Sequence, residues 1–546
     1  MADKAEREVK YTFWLVFSIS ICVFGNSFLY GYNIGVVNQP AKIIQVFYKN
    51  VLLARDGQLP AEDENVLATN QTDLTGGGVG YIVKENGGNT TNQTSVGKKV
   101  GGKEEEDPFI ELLWSLTVAI FVAFGMIGSF ISGNVAEKLG RKRGMIAITV
   151  IMLIAAVLGG IPRVASSFEV LIISRAFVGL HCGLNVSLAS LYLAEISPQK
   201  IRGAVGTCHQ LFITIGILWS MILGLRELLG TEVYWPLLFA FNALPALTCL
   251  VLMPLCPESP RYLLITKKDE QGATEVMRKL RGYTDVEEEV EEMRVEAKKQ
   301  QSVEHFSLKQ LLSTPELRMP LIIAVFLQAA QQASGINAVM SYSSFIFTQA
   351  SVAEDVVQYA IVGNGTINVI ATIIAVPLME KAGRRPLLLW PMCCMALSFL
   401  LLCIFHTLQY DEDLVSHHSA FAWVCIIAMH TYVIGFALGL GPIPFTIVSE
   451  MFRQEPRAAA MSFSIGFNWI INFILMMTFR FMQEALFGFT YIPFIVILVI
   501  SIIFIFFFVP ETKNRTFDDI ANSISHGRQK KSPPFNDEEG VAMGPL

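Results

Sequence analysis

Two segments decide how this chain is read: Glu195-Ile-Ser-Pro-Gln-Lys-Ile-Arg202 and Glu450-Met-Phe-Arg-Gln-Glu-Pro-Arg457. Each sets an Arg seven positions after a Glu, and they lie 255 residues apart. Leu139-Gly-Arg-Lys-Arg-Gly144 answers Ala382-Gly-Arg-Arg-Pro386 at an offset of 243. Pro257-Glu-Ser-Pro-Arg261 loosely answers Pro510-Glu-Thr-Lys513 at 253. Different motifs recurring in order at nearly one offset mark an internal duplication. Each borders an apolar stretch, so the duplicated unit is a set of membrane-crossing helices, as in transporters built from parallel repeats.

Composition agrees. Of 546 residues, 52% are hydrophobic and 16% charged, against about 25% charged in soluble domains. Apolar runs of about 20 residues, enough to cross a bilayer as helix, recur along the chain. They predict helices at 11–33, 112–134, 144–163, 168–193, 203–225 and 235–256, then 318–347, 357–380, 386–408, 420–448, 457–482 and 488–509. The fold class is an all-α membrane protein with twelve transmembrane helices in two six-helix pseudo-symmetric bundles, 11–256 and 318–510. A charged stretch of mixed sign, 257–317, reads as short helices on the membrane face linking the halves. The ends, 1–10 and 511–546, read as cytoplasmic. No cleavable signal precedes the first span. All nine Cys lie in or beside apolar segments, so no structural disulfide is expected.

Orientation follows from cations. Lys138, Arg141, Lys142 and Arg143 join helices two and three; Lys381, Arg384 and Arg385 join eight and nine. Such connections stay in the cytoplasm. The long loop 34–111 holds three sequons, at Asn70, Asn89 and Asn92, which predict a glycosylated extracellular loop. The paired motifs put carboxylates and guanidiniums at helix ends on the cytoplasmic face. Glu195 with Arg202, and Glu450 with Arg457, can bridge helices. Arg141, Arg384 and Arg385 can reach the same carboxylates, and Glu258, Arg261 and Glu511 join them. Arg suits this because its fork binds a carboxylate bidentately. Such a network can hold the two halves together when that side is closed.

At these residues a family becomes recognisable. Gly-Arg-Lys-Arg-Gly (140–144), PESPRYLL (257–264), QQASGINAVMSYSS (331–344), GRRP (383–386), GPIPF (441–445) and VPETKNRTF (509–517) resemble the facilitative glucose transporters, a sugar-porter branch of the major facilitator superfamily. The likeness runs from about Tyr11 to Ile520. It implies a plasma-membrane carrier of a neutral hexose, D-glucose foremost, working by alternating access. It adds Glu380 and Arg175 to the gating charges. It implies that Gln210, Gln331, Gln332, Asn337, Asn368, Phe445, Trp469 and Asn472 face the sugar. Amides suit hydroxyls, which both donate and accept, and an aromatic plane suits the apolar C–H face. Amides at bilayer depth are costly and mark a pathway.

Two departures bear on substrate. The triplet opening the helix-seven site reads Gln328-Ala329-Ala330 where glucose-preferring relatives have Gln-Leu-Ser, and Phe445 stands where they have Trp. Both leave room, so fructose is expected to be accepted beside a preferred glucose. Energy source turns on Gly31-Tyr32-Asn33: proton-coupled relatives carry Asp at the third position, and an amide cannot titrate. A passive uniporter is therefore expected over a proton–sugar symporter. A non-transporting sugar sensor would need a long cytoplasmic tail, and the stretch after Ile520 has 26 residues. No nucleotide loop, metal cluster or nucleophile–base pair points to an enzyme. No cofactor or nucleic acid is expected; the partners are hexose and bilayer.

Overall fold

A computed structural model describes residues 10–57, 107–198, 201–302, 308–408, 418–452, 454–513, 515, 519–520 and 523. Asn70, Asn89 and Asn92 lie outside the described residues, as do the side chains of Arg202 and Glu380. Spans 1–6 are Phe13–Gly35, Pro108–Leu139, Arg141–Gly160, Phe168–Ile196, Val205–Leu223 and Trp235–Leu255. Spans 7–10 are Pro315–Gln349, Glu354–Met379, Arg384–Leu408 and Ser419–Val448. A last apolar stretch, Ala459–Phe508, has 50 residues. As one helix it would run about 75 Å, more than twice the ~30 Å hydrocarbon core. A 3-10 turn at Phe487–Tyr491 divides it. Gln454–Leu486 and Ile492–Phe508 become spans 11 and 12.

Twelve spans put the first and last on the same side, called here the terminal side; the opposite face, which carries the connection from span 1 to span 2, is the loop side. Within the first half, span 2 packs on 4, 3 on 4, 1 on 5 and 3 on 6. The second half repeats the pattern six spans later: 8 on 10, 9 on 10, 7 on 11 and 9 on 12. The halves meet through 2 with 11, 5 with 8 and 1 with 7, an arrangement unchanged when they are exchanged. The duplication read from the motifs is thus a pseudo-twofold axis.

Lipid offers no hydrophobic drive between helices, so close packing at small residues holds them. Spans 2 and 4 show it. A Cβ on Gly183 would stand 2.0 Å from the Gly125 carbonyl oxygen, and one on Gly179 would stand 2.2 Å from that of Phe121.

One element departs from the sequence reading. The sequence reads as loop over 34–111, but Ala41–Arg55 is a helix. Hydropathy misses it because only one face is apolar. Ile44, Tyr48 and Val51, at i, i+4 and i+7, are buried, while Lys42 is exposed. Tyr48 hydrogen-bonds Thr117 at 2.8 Å, and Arg55 grips Glu169 of span 4 with two bonds of 2.5 and 2.9 Å. That grip raises the Arg55 pKa above its ordinary value. The segment caps the first half on the loop side. On the terminal side, helices Glu270–Arg281, Glu287–Ser302 and Leu308–Ser313 form the charged linker. Arg281 donates to the Ile196 carbonyl at 2.8 Å, capping the end of span 4, and Lys279 sits 3.6 Å above the Trp14 ring. All nine cysteines are free thiols.

Gly183→Ala tests the contact between spans 2 and 4. The obstacle is backbone, which cannot swing aside, so overpacking costs about 1–3 kcal/mol. The thermal midpoint of the purified protein should fall by several degrees; an unchanged midpoint would show that the helices part freely.

Candidate functional site

Span 7 contains a break. Pro315–Ala333 ends, Gly335 adopts φ +93°, and Ile336–Gln349 resumes. A side chain there would be strained and would meet Phe494 at 3.0 Å. Span 10 breaks beside it, between Leu438 and Ile443. Broken helices leave carbonyls unpaired, and at bilayer depth these must be satisfied by protein. The two spans do this for each other. Tyr432 donates to the Ser334 carbonyl at 2.8 Å. Gln331 Nε2 donates to the carbonyls of Leu440 and Gly441 at 2.7 and 2.8 Å.

The amides converge at that junction. Asn337 Nδ2 donates to Gln332 Oε1 at 2.7 Å, and Gln332 Nε2 to Asn468 Oδ1 at 3.0 Å. Asn468 Nδ2 faces three acceptors: the Gln328 carbonyl at 3.1 Å, Gln328 Oε1 at 2.9 Å and Gln331 Oε1 at 2.7 Å. With two hydrogens for three oxygens, it is the hub. Of the expected residues, Gln331, Gln332 and Asn337 are brought together. Gln331, with Nε2 turned to backbone, braces the breaks. Asn368 and Asn472, 6% and 5% exposed, lie in spans 8 and 11 without a side-chain bond to this cluster among the described residues. Asn472 Oδ1 and Gln328 Nε2 are buried without a protein partner, and such atoms call for an explanation. Gln210 is half-buried on span 5, in the other half. Trp469 turns toward span 2, its ring 2.7 Å from where a Gly125 Cβ would be, and so lies between the halves. Phe445 is 38% exposed.

Asn468 was missed. Its partners come from a span 136 to 140 residues away, and no motif beside it marks it.

The terminal-side motifs form two matching clusters. In the first half, Arg141 donates to Glu195 at 2.8 Å and Ser259 to the other Glu195 oxygen. Glu258 accepts the backbone N–H of Arg141 at 3.2 Å and Lys142 at 2.9 Å. In the second, Arg384 donates to Glu450 at 2.8 and 3.1 Å, and Thr512 to its other oxygen at 2.5 Å. Glu511 accepts from the backbone of Arg384 at 2.9 Å and Arg385 at 3.0 Å. Glu258 and Glu511 therefore cap the N-termini of spans 3 and 9, where a negative charge meets the positive end of the helix. Gly140 and Gly383, both at φ +88°, admit these carboxylates.

The sequence reading paired Glu195 and Glu450 with the Arg seven residues on. Of the arginines also expected there, Arg141 holds Glu195 and Arg384 holds Glu450, each within one half; the Arg202 side chain lies outside the described residues. Arg457 donates to its neighbour Phe452 carbonyl at 3.1 Å. Arg175, grouped with the gating charges, forms no ion pair among the described residues. It donates to the Asn33 carbonyl at 3.2 Å and lies 4.6 Å from the Phe121 ring centre. Asn33 itself pairs with Asn242 through reciprocal amide bonds of 2.7 and 3.2 Å.

Contacts crossing between halves gather on the loop side. Asn38 bonds the Met340 carbonyl and Ser343, at 2.7 and 2.5 Å. Gln358 and Tyr359 donate to Glu227 at 3.2 and 2.9 Å. The Glu227 backbone N–H, then the Tyr359 hydroxyl, hold that carboxyl below the ordinary range.

Residues 19–523 match the family described as Sugar (and other) transporter. The chain is 39% identical over 515 residues to solute carrier family 2, facilitated glucose transporter member 3, of Ovis aries, covering 94% of this chain and 93% of that one. It is 37% identical to member 1 of Gallus gallus, over 98% of both. This chain belongs to the sugar transporter family. The fold of this transporter is also that of the xylose transporter XylE from E. coli in a partially occluded inward open conformation. That likeness has a TM-score of 0.69 and 22% identity, over 92% of this chain and 99% of that one.

Asn468→Ala would leave the amides of span 7 short of a donor and an acceptor. Leaving buried partners unpaired costs about 1–3 kcal/mol, so sugar affinity should drop roughly tenfold or more while the protein still elutes as one species. Unaltered affinity would remove Asn468 as the organiser of the site.

Proposed function

We propose that this transporter is a plasma-membrane uniporter of neutral hexoses, D-glucose first, and that it alternates access about the amide cluster of spans 7 and 11. The observation that carries the reading is that cluster, built where two broken spans satisfy each other. Its amide groups can each donate to and accept from sugar hydroxyls. Gln328 Nε2 and Asn472 Oδ1 supply capacity that the protein leaves unused. Gln210, Asn368, Trp469 and Phe445 complete the site when the halves close on sugar. The curated relatives' names supply the substrate.

Passive transport is supported by the Asn33–Asn242 pair, which offers no titratable group where a coupling proton would bind. His181 and His430 each place a ring nitrogen on a backbone carbonyl, of Ile148 and Ala360, as helix cross-links do. In liposomes holding the purified protein, labelled glucose should equilibrate and not concentrate. Fructose should enter more slowly, because Ala329, Ala330 and Phe445 separate similar sugars by room, worth about 1–3 kcal/mol per methylene-sized difference. Accumulation driven by an inward proton gradient would make the protein a symporter instead.

The terminal side is read as cytoplasmic from Lys138, Arg141, Lys142, Arg143, Lys381, Arg384 and Arg385, and the loop side as extracellular, with Asn70, Asn89 and Asn92 glycosylated there. The contacts gathered on the loop side then correspond to an inward-facing state. The two clusters hold Glu195, Arg141, Glu450 and Arg384 at helix ends, ready to meet across the halves, with Arg202, Arg261, Glu380 and Arg457, when the cytoplasmic side shuts. Glu450→Gln should therefore lower the outward-facing fraction, read as weaker protection of cytoplasmic-end positions from a thiol reagent. Stronger protection would contradict this gate.

A further inference from the structure

The connection into span 2 reads Asp107-Pro108-Phe109-Ile110-Glu111, so Glu111 lies in the first turn of that helix. Arg480 lies near the loop-side end of span 11. They are 369 residues apart and belong to different halves. Arg480 Nε lies 2.5 Å from Glu111 Oε2, and its Nη2 lies 2.6 Å from Oε1. Both residues are 2% exposed. The guanidinium stacks 3.2 Å from the centre of the Phe345 ring, on the second segment of span 7. Gln45 of the capping helix reaches Glu111 Oε1 at 3.4 Å, and Glu484 lies 3.5 Å from Arg480.

Other charges cross between the halves here, but they are solvated. Lys42 and Arg226 approach Glu354 at 3.6 and 3.8 Å, with the side chains 54–69% exposed. Exposed pairs contribute about 0–1 kcal/mol. The Glu111–Arg480 pair differs in kind. Its two charges have left water, and their two-pronged contact with each other is the main compensation, beside Gln45, Glu484 and the Phe345 ring. That burial exists only while the loop side is closed. When the halves part there, each group can meet water. The free energy of the pair therefore differs between the two states, and such a difference sets their populations.

We propose that Glu111 and Arg480 are positioning residues for transport: a buried two-pronged latch that closes the loop side and, through the Arg480–Phe345 contact, holds the second segment of span 7 in place. The proposal rests on the alternating-access reading above. Removing one partner leaves the other charge buried in the closed state without its two-pronged partner, so the balance moves toward the open one. Removing both strands nothing.

The test uses the full chain in lipid nanodiscs, with Cys208, Cys393 and Cys394 replaced by Ser. Spin labels go at Val233→Cys and Phe487→Cys, loop-side positions in opposite halves that are 53% and 59% exposed. Glu111→Gln and Arg480→Gln should each raise the long-distance population, about tenfold or more in ratio. The double variant should shift less than either single. Unmoved distances in the single variants, or a double shift equal to their sum, would overturn the latch; a pair that only stabilises the fold would lower the melting midpoint and leave distances alone. If a single variant does not assemble, Arg480→Lys decides. It keeps the charge but only one prong, so a smaller shift in the same direction supports the latch and no shift refutes it. A wild-type distribution that ignores added glucose would instead count against alternating access itself.

Discussion

A helix that crosses a bilayer cannot leave a backbone carbonyl unanswered, because lipid supplies no donor. This transporter breaks two adjacent spans and answers each break with a side chain from the other. Tyr432 serves the break at Gly335, and Gln331 serves the one at Leu440 and Gly441. Everything at the site follows from that exchange. It fixes spans 7 and 10 side by side and consumes the donors of Gln331. It also leaves Gln331 Oε1 facing Asn468, which gathers Gln328 and Gln332 around itself. The clustered amides and the structural braces are thus one network.

The terminal side solves a second problem of helix ends in the same way. The first N–H groups of spans 3 and 9 would be orphans. In each half a carboxylate from the segment after the half's last span supplies the acceptor: Glu258 in one, Glu511 in the other. This ties the chain's exit from each bundle to the middle of it. Each half can then move as a body, which alternating access requires.

The spans and their duplication were readable in the sequence because hydropathy and repeated motifs are local signals. Gln331, Gln332 and Asn337 were readable because they share one short segment around Gly335. The rest depended on distance along the chain. Asn468 has partners more than 130 residues away, and nothing near it marks it as a hub. By contrast, Arg141 and Arg384 were readable as partners of Glu195 and Glu450 because the same glycine–arginine motif stands beside both duplicated segments, and they are close to those carboxylates in space. Helix Ala41–Arg55 escaped because a one-sided apolar stripe gives little mean hydropathy, though its i, i+4, i+7 spacing was there to be counted.

The Asn33–Asn242 pair has an electrical consequence. Two neutral amides bonded to each other carry no charge and take up no proton at physiological pH, and a hexose carries no charge either. Moving one elementary charge through 100 mV exchanges about 2.3 kcal/mol with the membrane field. A cycle that carries no net charge exchanges none. The resting potential of a cell, however large, can neither pull sugar inward through this protein nor hold it back, so polarised and depolarised membranes reach the same sugar ratio.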